Sequence, residues 1–378
     1  MWDFLVRKNL IGAADYLLNG AARYGVLPVL DAADVAKFHA RLEELQPDML
    51  VSTADAVNKA LGSYAELHEI PFFIYISDFG LFPDLIHPHA THLCYFEETA
   101  ALFRGANLNR TYFTTPIYPE TNTRKKAAYV LGCYRDLFRQ KSPASGKIAT
   151  PRFMATGPWA EKKHYHADAS QAEGLRGRIN PDYPTLLVAS GGIGGRLVGQ
   201  ALRHLAKGLA TPANLLIMCG RDEKLAGRIA RNAHKYAPHN VIVNGFIDDF
   251  HHYMDAADIV VARPSGGVVI ESLIQRKPLA VIGRVPSNDA DVLPILTGAK
   301  AAEICPYLDA LPGVVSAMLG RLPEYACHLD AFMNRYPADF EETAAGVLHE
   351  FQNALPALRP APREERVSIP CREAPEGA

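Results

Sequence analysis

The chain has 378 residues, 48% of them apolar and 21% charged, and a formal net charge of −2. At about 150 residues per domain this suggests two or three domains, and the near-neutral balance excludes a general nucleic-acid binder. There is no run of about 18 apolar residues to span a membrane, and the six scattered cysteines (94, 133, 219, 305, 327, 371) form neither a zinc signature nor a disulfide framework, as expected for a reducing cytoplasm.

In chain order, Met1-Trp-Asp-Phe-Leu-Val-Arg reads as helix, and Asp3, Arg7 and Lys8 interrupt it too early for a signal peptide. Strands are expected at 48–52, 71–76 and 91–95, with helices at 32–45 and 55–68 between them. A helix near 121–139 precedes the loop-like KSPASGKIATP. Strands near 185–189, 214–218, 241–243, 258–262 and 279–282 then alternate with helices, the mark of a parallel sheet covered on both faces. Residues 356–378 carry five prolines among charged and small residues and read as a disordered tail. The expected division is an N-terminal Rossmann-like domain over 1–150, a junction over 151–184, a C-terminal domain over 185–355, and the tail. The fold class is α/β with two Rossmann-like domains.

Two glycine turns follow buried strands. Thr185–Ala189 runs into Ser190-Gly191-Gly192-Ile193-Gly194-Gly195, and Asp258–Ala262 runs through Arg263-Pro264 into Ser265-Gly266-Gly267. Each opens a helix. A helix N-terminus presents unpaired amides and partial positive charge, so it stabilises a phosphate without a lysine. Glu271 follows close behind, where a carboxylate can accept hydrogen bonds from a ribose. A tight ligand-free connection explains either turn alone; the pair in one α/β unit points to a nucleotide.

The four blocks SGGIGG (190–195), GF-I (245–247), DIVVARPSGGVVIE (258–271) and PSNDAD (286–291), in this order, resemble the donor domain of GT-B glycosyltransferases. The group is that of monogalactosyldiacylglycerol synthases, diacylglycerol glucosyltransferases and the lipid-linked GlcNAc transferase of peptidoglycan synthesis. The QPDMLVS and IPFFIYISD segments near 46–52 and 70–78 are similar to the same group more faintly. The resemblance implies a hexosyl transfer from a UDP-sugar to a lipid or lipid-linked hydroxyl, with no metal and no other cofactor. It implies donor contacts at Gly191, Gly192, Gly194, Gly195, Ile247, Arg263, Ser265, Gly266, Gly267, Val268 and Glu271. Phe246 belongs to the same base-binding edge, although its side chain alone reads as strand-end core. Asn288, Asp289 and Asp291 would meet sugar hydroxyls. Ser265 replaces the usual glycine and Val268 the usual Thr or Ser, which removes a hydrogen bond worth roughly 0.5–1.5 kcal/mol.

The group's N-terminal Gly-Gly-His loop has no counterpart in the first forty residues. The acceptor base is therefore sought after a strand in the first half: Asp78 first, then His87 and His89. A nucleotide-sugar-binding subunit whose N-terminal segment comes from a partner chain is the alternative, and a UDP-sugar 2-epimerase a further one. His251-His252 reads as a solvated helix face. Arg124–Lys147 holds seven basic residues and one acid, a patch suited to an anionic membrane surface, and the N-terminal helix is a second interfacial candidate. The expected location is cytoplasmic, peripheral on the membrane's inner face.

Overall fold

The computed structural model describes residues 2–17, 32–54, 57–80, 82, 85–105, 152–191, 195–337 and 339–355. Two parallel sheets organise them. The first has strands β1 (Leu50–Ser52), β2 (Phe72–Tyr75), β3 (Ala90–Cys94) and β4 (Arg152–Ala155) in that spatial order. The second has β5 (Thr185–Ala189), β6 (Asn214–Met218), β7 (Asn240–Asn244), β8 (Ile259–Ala262), β9 (Leu279–Ile282) and β10 (Ala302–Cys305), ordered β10-β9-β8-β5-β6-β7. Helices fill the connections, among them Ala32–Leu45, Asn58–Leu67, Arg196–Gly208 and Gly266–Ile274.

The second sheet forms because its strands are apolar on both faces. Every residue of β5, β6, β8 and β9 is buried, as parallel strands between two helical layers require. Helix Arg196–Gly208 buries Leu197, Val198, Ala201, Leu202 and Leu205 against it, one stripe at helical spacing. Polar ties set the register at its lower edge. The Asp258 carboxylate accepts from the Thr185 amide at 2.7 Å, and the buried Asn214 amide donates to the Asn180 and Tyr183 carbonyls.

From β5 the chain winds outward to β6 and β7, and from β8 it winds the other way. The adjacent β5 and β8 therefore flank a crevice at their carboxyl ends, where open α/β sheets collect ligands. The strands expected from periodicity are all present with small shifts at their ends. The first sheet gains β4 from within the expected junction, paired to β3 over Thr91–Cys94. Helix Phe340–Ala354, at the end of the expected C-terminal domain, crosses back to the first sheet. Val347 joins Phe73 and Leu93 in one buried cluster, and the Phe73 and Phe351 rings lie 4.5 Å apart. The basic segment 124–147 and the tail 356–378 lie outside the described residues, as do cysteines 133 and 371.

Candidate functional site

A cavity of about 310 Å³ opens at the carboxyl ends of β5 to β8. Each strand contributes its following turn: Gly191 after β5, Gly220 after β6, Gly245 to Asp248 after β7, and Ser265, Gly267, Val268 and Glu271 after β8. Gly191 (φ 75°) and Gly220 (φ 53°) adopt backbone that side-chain-bearing residues rarely take. A Cβ on Gly191 would lie 4.0 Å from the Ser265 hydroxyl, so the two glycine turns face each other across the crevice. Gly192 and Gly194 lie outside the described residues.

Helix Gly266–Ile274 begins at Ser265, whose side chain makes no capping bond. The amides of Gly266, Gly267 and Val268 precede the first intrahelical donor, Val269 to the Ser265 carbonyl. Helical side chains lean toward the N-terminus, and Glu271 does so: its Oε1 lies 3.6 Å from the position of a Cβ on Gly267. The glycine thus lets the carboxylate fold over the first turn beside those amides. Burial raises the Glu271 carboxyl to about 7, against the opposing pull of the Lys163 ammonium.

Segment Glu161–His164, between the sheets, closes one side of the cavity, with Lys163 paired to Glu161 at 2.8 Å. His164 is buried, and its Nε2 is 3.6 Å from Glu271 Oε1. Burial, with His251 and Lys163 nearby, lowers it to about 4. Ile247 lines the cavity, and so does Phe246. Phe246 is not strand-end core: it is 56% exposed and lies under the Arg221 guanidinium at 5.1 Å. The β7 strand ends at Asn244, so Phe246 projects from the turn beyond the sheet's packing layer. His251-His252 is likewise not a solvated face. His251 is buried against His164, and His252 Nδ1 accepts from the Asp168 amide at 2.9 Å, because the 155–184 segment packs over this helix.

A second group gathers at the seam between the sheets. The amides of Phe79 and Gly80 donate to the Asn288 carbonyl at 3.0 and 2.8 Å, and a Cβ on Gly266 would lie 3.3 Å from the Ser77 carbonyl. The loop after β2 therefore rests on both donor-side loops, which brings Asp78 to Asp289. Asp289 is buried, and its carboxyl is raised to about 7 by burial and then by the Asp78 charge, with Arg263 opposing. Burial raises the Asp291 carboxyl too. Arg263 is buried and donates to Asn9 Oδ1 at 3.0 Å; burial lowers it to about 10.

The N-terminal segment does not project outward. Arg7 presses its backbone on Gly195, where a Cβ would meet the Arg7 Cα at 2.8 Å, and Asp15 accepts from the Ser287 amide and hydroxyl. Gly195, Arg263, Gly266, Asn288 and Asp289 thus belong to this seam rather than to the walls of the cavity.

His87 and His89, expected as further candidates for the acceptor base, lie away from the seam. Both precede β3, at the amino edge of the first sheet, whereas Asp78 follows β2 at the carboxyl edge. His87 is 1% exposed, packed on Gly62 and Phe72, and burial lowers it to about 3. Its Nδ1 accepts from the His89 amide, and the exposed His89 ring meets the Ile70 carbonyl. Neither reaches the seam. Sequence reading missed Lys163, His164, Gly220 and Asn9. Gly220 had a signal, a Cys-Gly-Arg-Asp turn after a buried strand; the others act through tertiary contacts that local pattern does not carry. Among the described residues, no group of His, Cys, Asp and Glu is arranged to hold a metal.

No protein-family profile matches the chain. The monogalactosyldiacylglycerol synthase of Spinacia oleracea is 29% identical over 118 residues, 29% of this chain and 22% of that protein. A UDP-N-acetylglucosamine–N-acetylmuramyl-(pentapeptide) pyrophosphoryl-undecaprenol N-acetylglucosamine transferase of Clostridium kluyveri is 29% identical over 104 residues, 27% of each chain. These matches span about a quarter of those relatives' length. The crystal structure of Acinetobacter baumannii MurG superposes with a TM-score of 0.52 at 16% identity, covering 85% of this chain and 78% of that one. The chain has the GT-B fold, and its curated sequence relatives are glycosyltransferases of the lipid and lipid-linked group.

Proposed function

We propose that the protein is a glycosyltransferase that moves a hexosyl unit from a UDP-sugar to a hydroxyl of a lipid or lipid-linked acceptor. One observation carries the reading: two glycine turns face each other at the β5/β8 switch point, with Glu271 folded over the helix N-terminus that closes it. In this reading the base lies by Gly245–Ile247, the ribose at Glu271, and the diphosphate at the Gly267 and Val268 amides. Those amides are positioned before reaction to take the charge that grows on the departing UDP. The glycosidic bond to the β-phosphate oxygen breaks as the acceptor oxygen bonds the sugar carbon and its proton passes to a base.

Asp78 is that base in our proposal. It sits on the first sheet's carboxyl edge and on the loop that rests on the donor side. Asp289, raised to about 7, is partly protonated at neutral pH, so it can donate to as well as accept from a sugar hydroxyl. No metal is required by this scheme. The acceptor class rests on the relatives' names, and a peripheral site on the inner membrane face would follow from such an acceptor. No helix of the described residues is long and apolar enough to cross a membrane.

The test is UDP release from a panel of UDP-sugars with and without lipid acceptors, beside UDP calorimetry. Acceptor-dependent release supports the transferase. A second reading, a nucleotide-sugar-binding subunit that needs a partner, draws on the N-terminal helix lying over Gly195 and on the core burial of His87; tight UDP binding without turnover would favour it.

A further inference from the structure

Glu271 is held from outside its own helix. His164 belongs to the segment between the sheets, yet its ring is buried against the helix face that carries Glu271 and Gln275, one turn apart. Gln275 Nε2 lies 3.4 Å from His164 Nδ1. On the other side of the ring Nε2 lies 3.6 Å from Glu271 Oε1, and an ionised carboxylate there favours the tautomer that carries its proton on Nε2. A Cβ on Gly267 would lie 3.6 Å from that same oxygen, so the glycine leaves the carboxylate room beside the amides. The carboxylate thus has one neighbour from the helix and one from the segment between the sheets.

We propose that His164 is a positioning residue for ribose recognition: its Nε2, 3.6 Å from Glu271 Oε1, closes to hydrogen-bond length when a nucleotide fills the cavity and holds the carboxylate ready to accept from the ribose hydroxyls. The inference rests on the nucleotide reading of this cavity. His164 stays neutral as the pH falls because burial opposes its charge, so it orients Glu271 without competing for the ligand as a second ion. The other titratable groups around this pair are Glu161 and Lys163 on the same segment, His251 on the neighbouring helix, and Tyr95 after β3.

The experiment compares UDP with 2′-deoxy-UDP by calorimetry, because the ratio of their affinities isolates the ribose contact from base and phosphate. Wild type should prefer UDP by about tenfold, the size of a hydrogen bond to a charged group. In His164→Phe the preference should fall to about onefold to threefold, with UDP affinity reduced and 2′-deoxy-UDP affinity little changed. His164→Gln, which can still donate toward Glu271, should restore most of the preference. The midpoint of the pH dependence of the preference should also rise in His164→Phe, since the lost donor no longer favours ionised Glu271. An unchanged preference in a folded His164→Phe overturns the inference while leaving the nucleotide reading intact. So does an equal loss for both ligands, which marks a merely structural role. Wild type that binds neither nucleotide removes the nucleotide reading and this inference with it.

Discussion

In the C-terminal sheet four neighbouring strands end at one cavity, and what each contributes is mostly backbone: glycines at 191, 220, 245 and 267, and a helix N-terminus. In the N-terminal sheet the strand ends are covered by contacts to the other half. The loop after β2 hydrogen-bonds to Asn288, and Phe96 after β3 packs on Phe332 and Tyr336. Among the described residues, the loop after β2 reaches the donor-side loops of the second half, and in our proposal it presents Asp78 there. Nucleotide binding should therefore depend on the C-terminal half and the segment that links the sheets, and chemistry on the seam.

Breaking the seam chemistry should give the largest effect. Asp78→Asn keeps the shape of the side chain and removes the proposed base, so turnover should fall by about 10²–10⁴-fold, the usual contribution of a positioned proton acceptor. UDP affinity should stay within about twofold, because Asp78 lies outside the nucleotide cavity. Steady-state UDP release and calorimetry on the same preparation separate the two. Unchanged turnover rejects Asp78 as the base, and a parallel loss of UDP affinity rejects the division between the halves.

The reciprocal change is Glu271→Ala. It removes charge-assisted hydrogen bonds of roughly 1.5–3 kcal/mol, so UDP should bind about ten- to a hundredfold more weakly. At saturating donor the turnover number should fall less than the affinity. Equal UDP affinity in wild type and variant, measured by calorimetry, would sink the ribose assignment.

The two halves also differed in how plainly they could be read. Leu186–Ala189 and Ile259–Ala262 are continuous apolar runs followed by glycines, so strand, turn and helix appear in adjacent letters, and the contact of Glu271 with Gly267 lies within one helical turn. The β10 strand was not legible because Glu303 interrupts its four residues and bonds outward to Arg321 and Tyr325. His87 and Asp78 look alike as polar residues near a strand in the first half. Only the topology separates them, one before β3 and one after β2. His164 had no signal at all, since its value lies in a contact with a helix more than a hundred residues later.

The smallest effect sharpens the seam from the stability side. Asp289 titrates higher in the folded protein than the ordinary 3.8 of its carboxyl, reaching about 7. Between about pH 4 and 7 the folded state therefore holds a proton that the unfolded state has released. Its contribution to stability is present below pH 4 and is lost as pH rises toward 7 and beyond. Each pH unit across that window costs up to about 1.4 kcal/mol, a Tm change of a few degrees for a protein of this size. The buried His164 runs the other way, its lowered value making the fold more stable as pH rises from about 4 to 6.5, so the wild-type curve alone is a poor test. The informative quantity is the difference between wild type and Asp289→Asn, an isostere that does not titrate. Without ligand, by scanning fluorimetry from pH 5 to 8, the variant should gain on the wild type as pH rises. In an Asp78→Asn background the gain should shrink and level off at lower pH, because the neighbouring charge that helps raise Asp289 is gone. Parallel melting curves in both backgrounds would show that the two carboxyls do not meet across the seam, and the proposed base would then be too far from the donor loop to serve it.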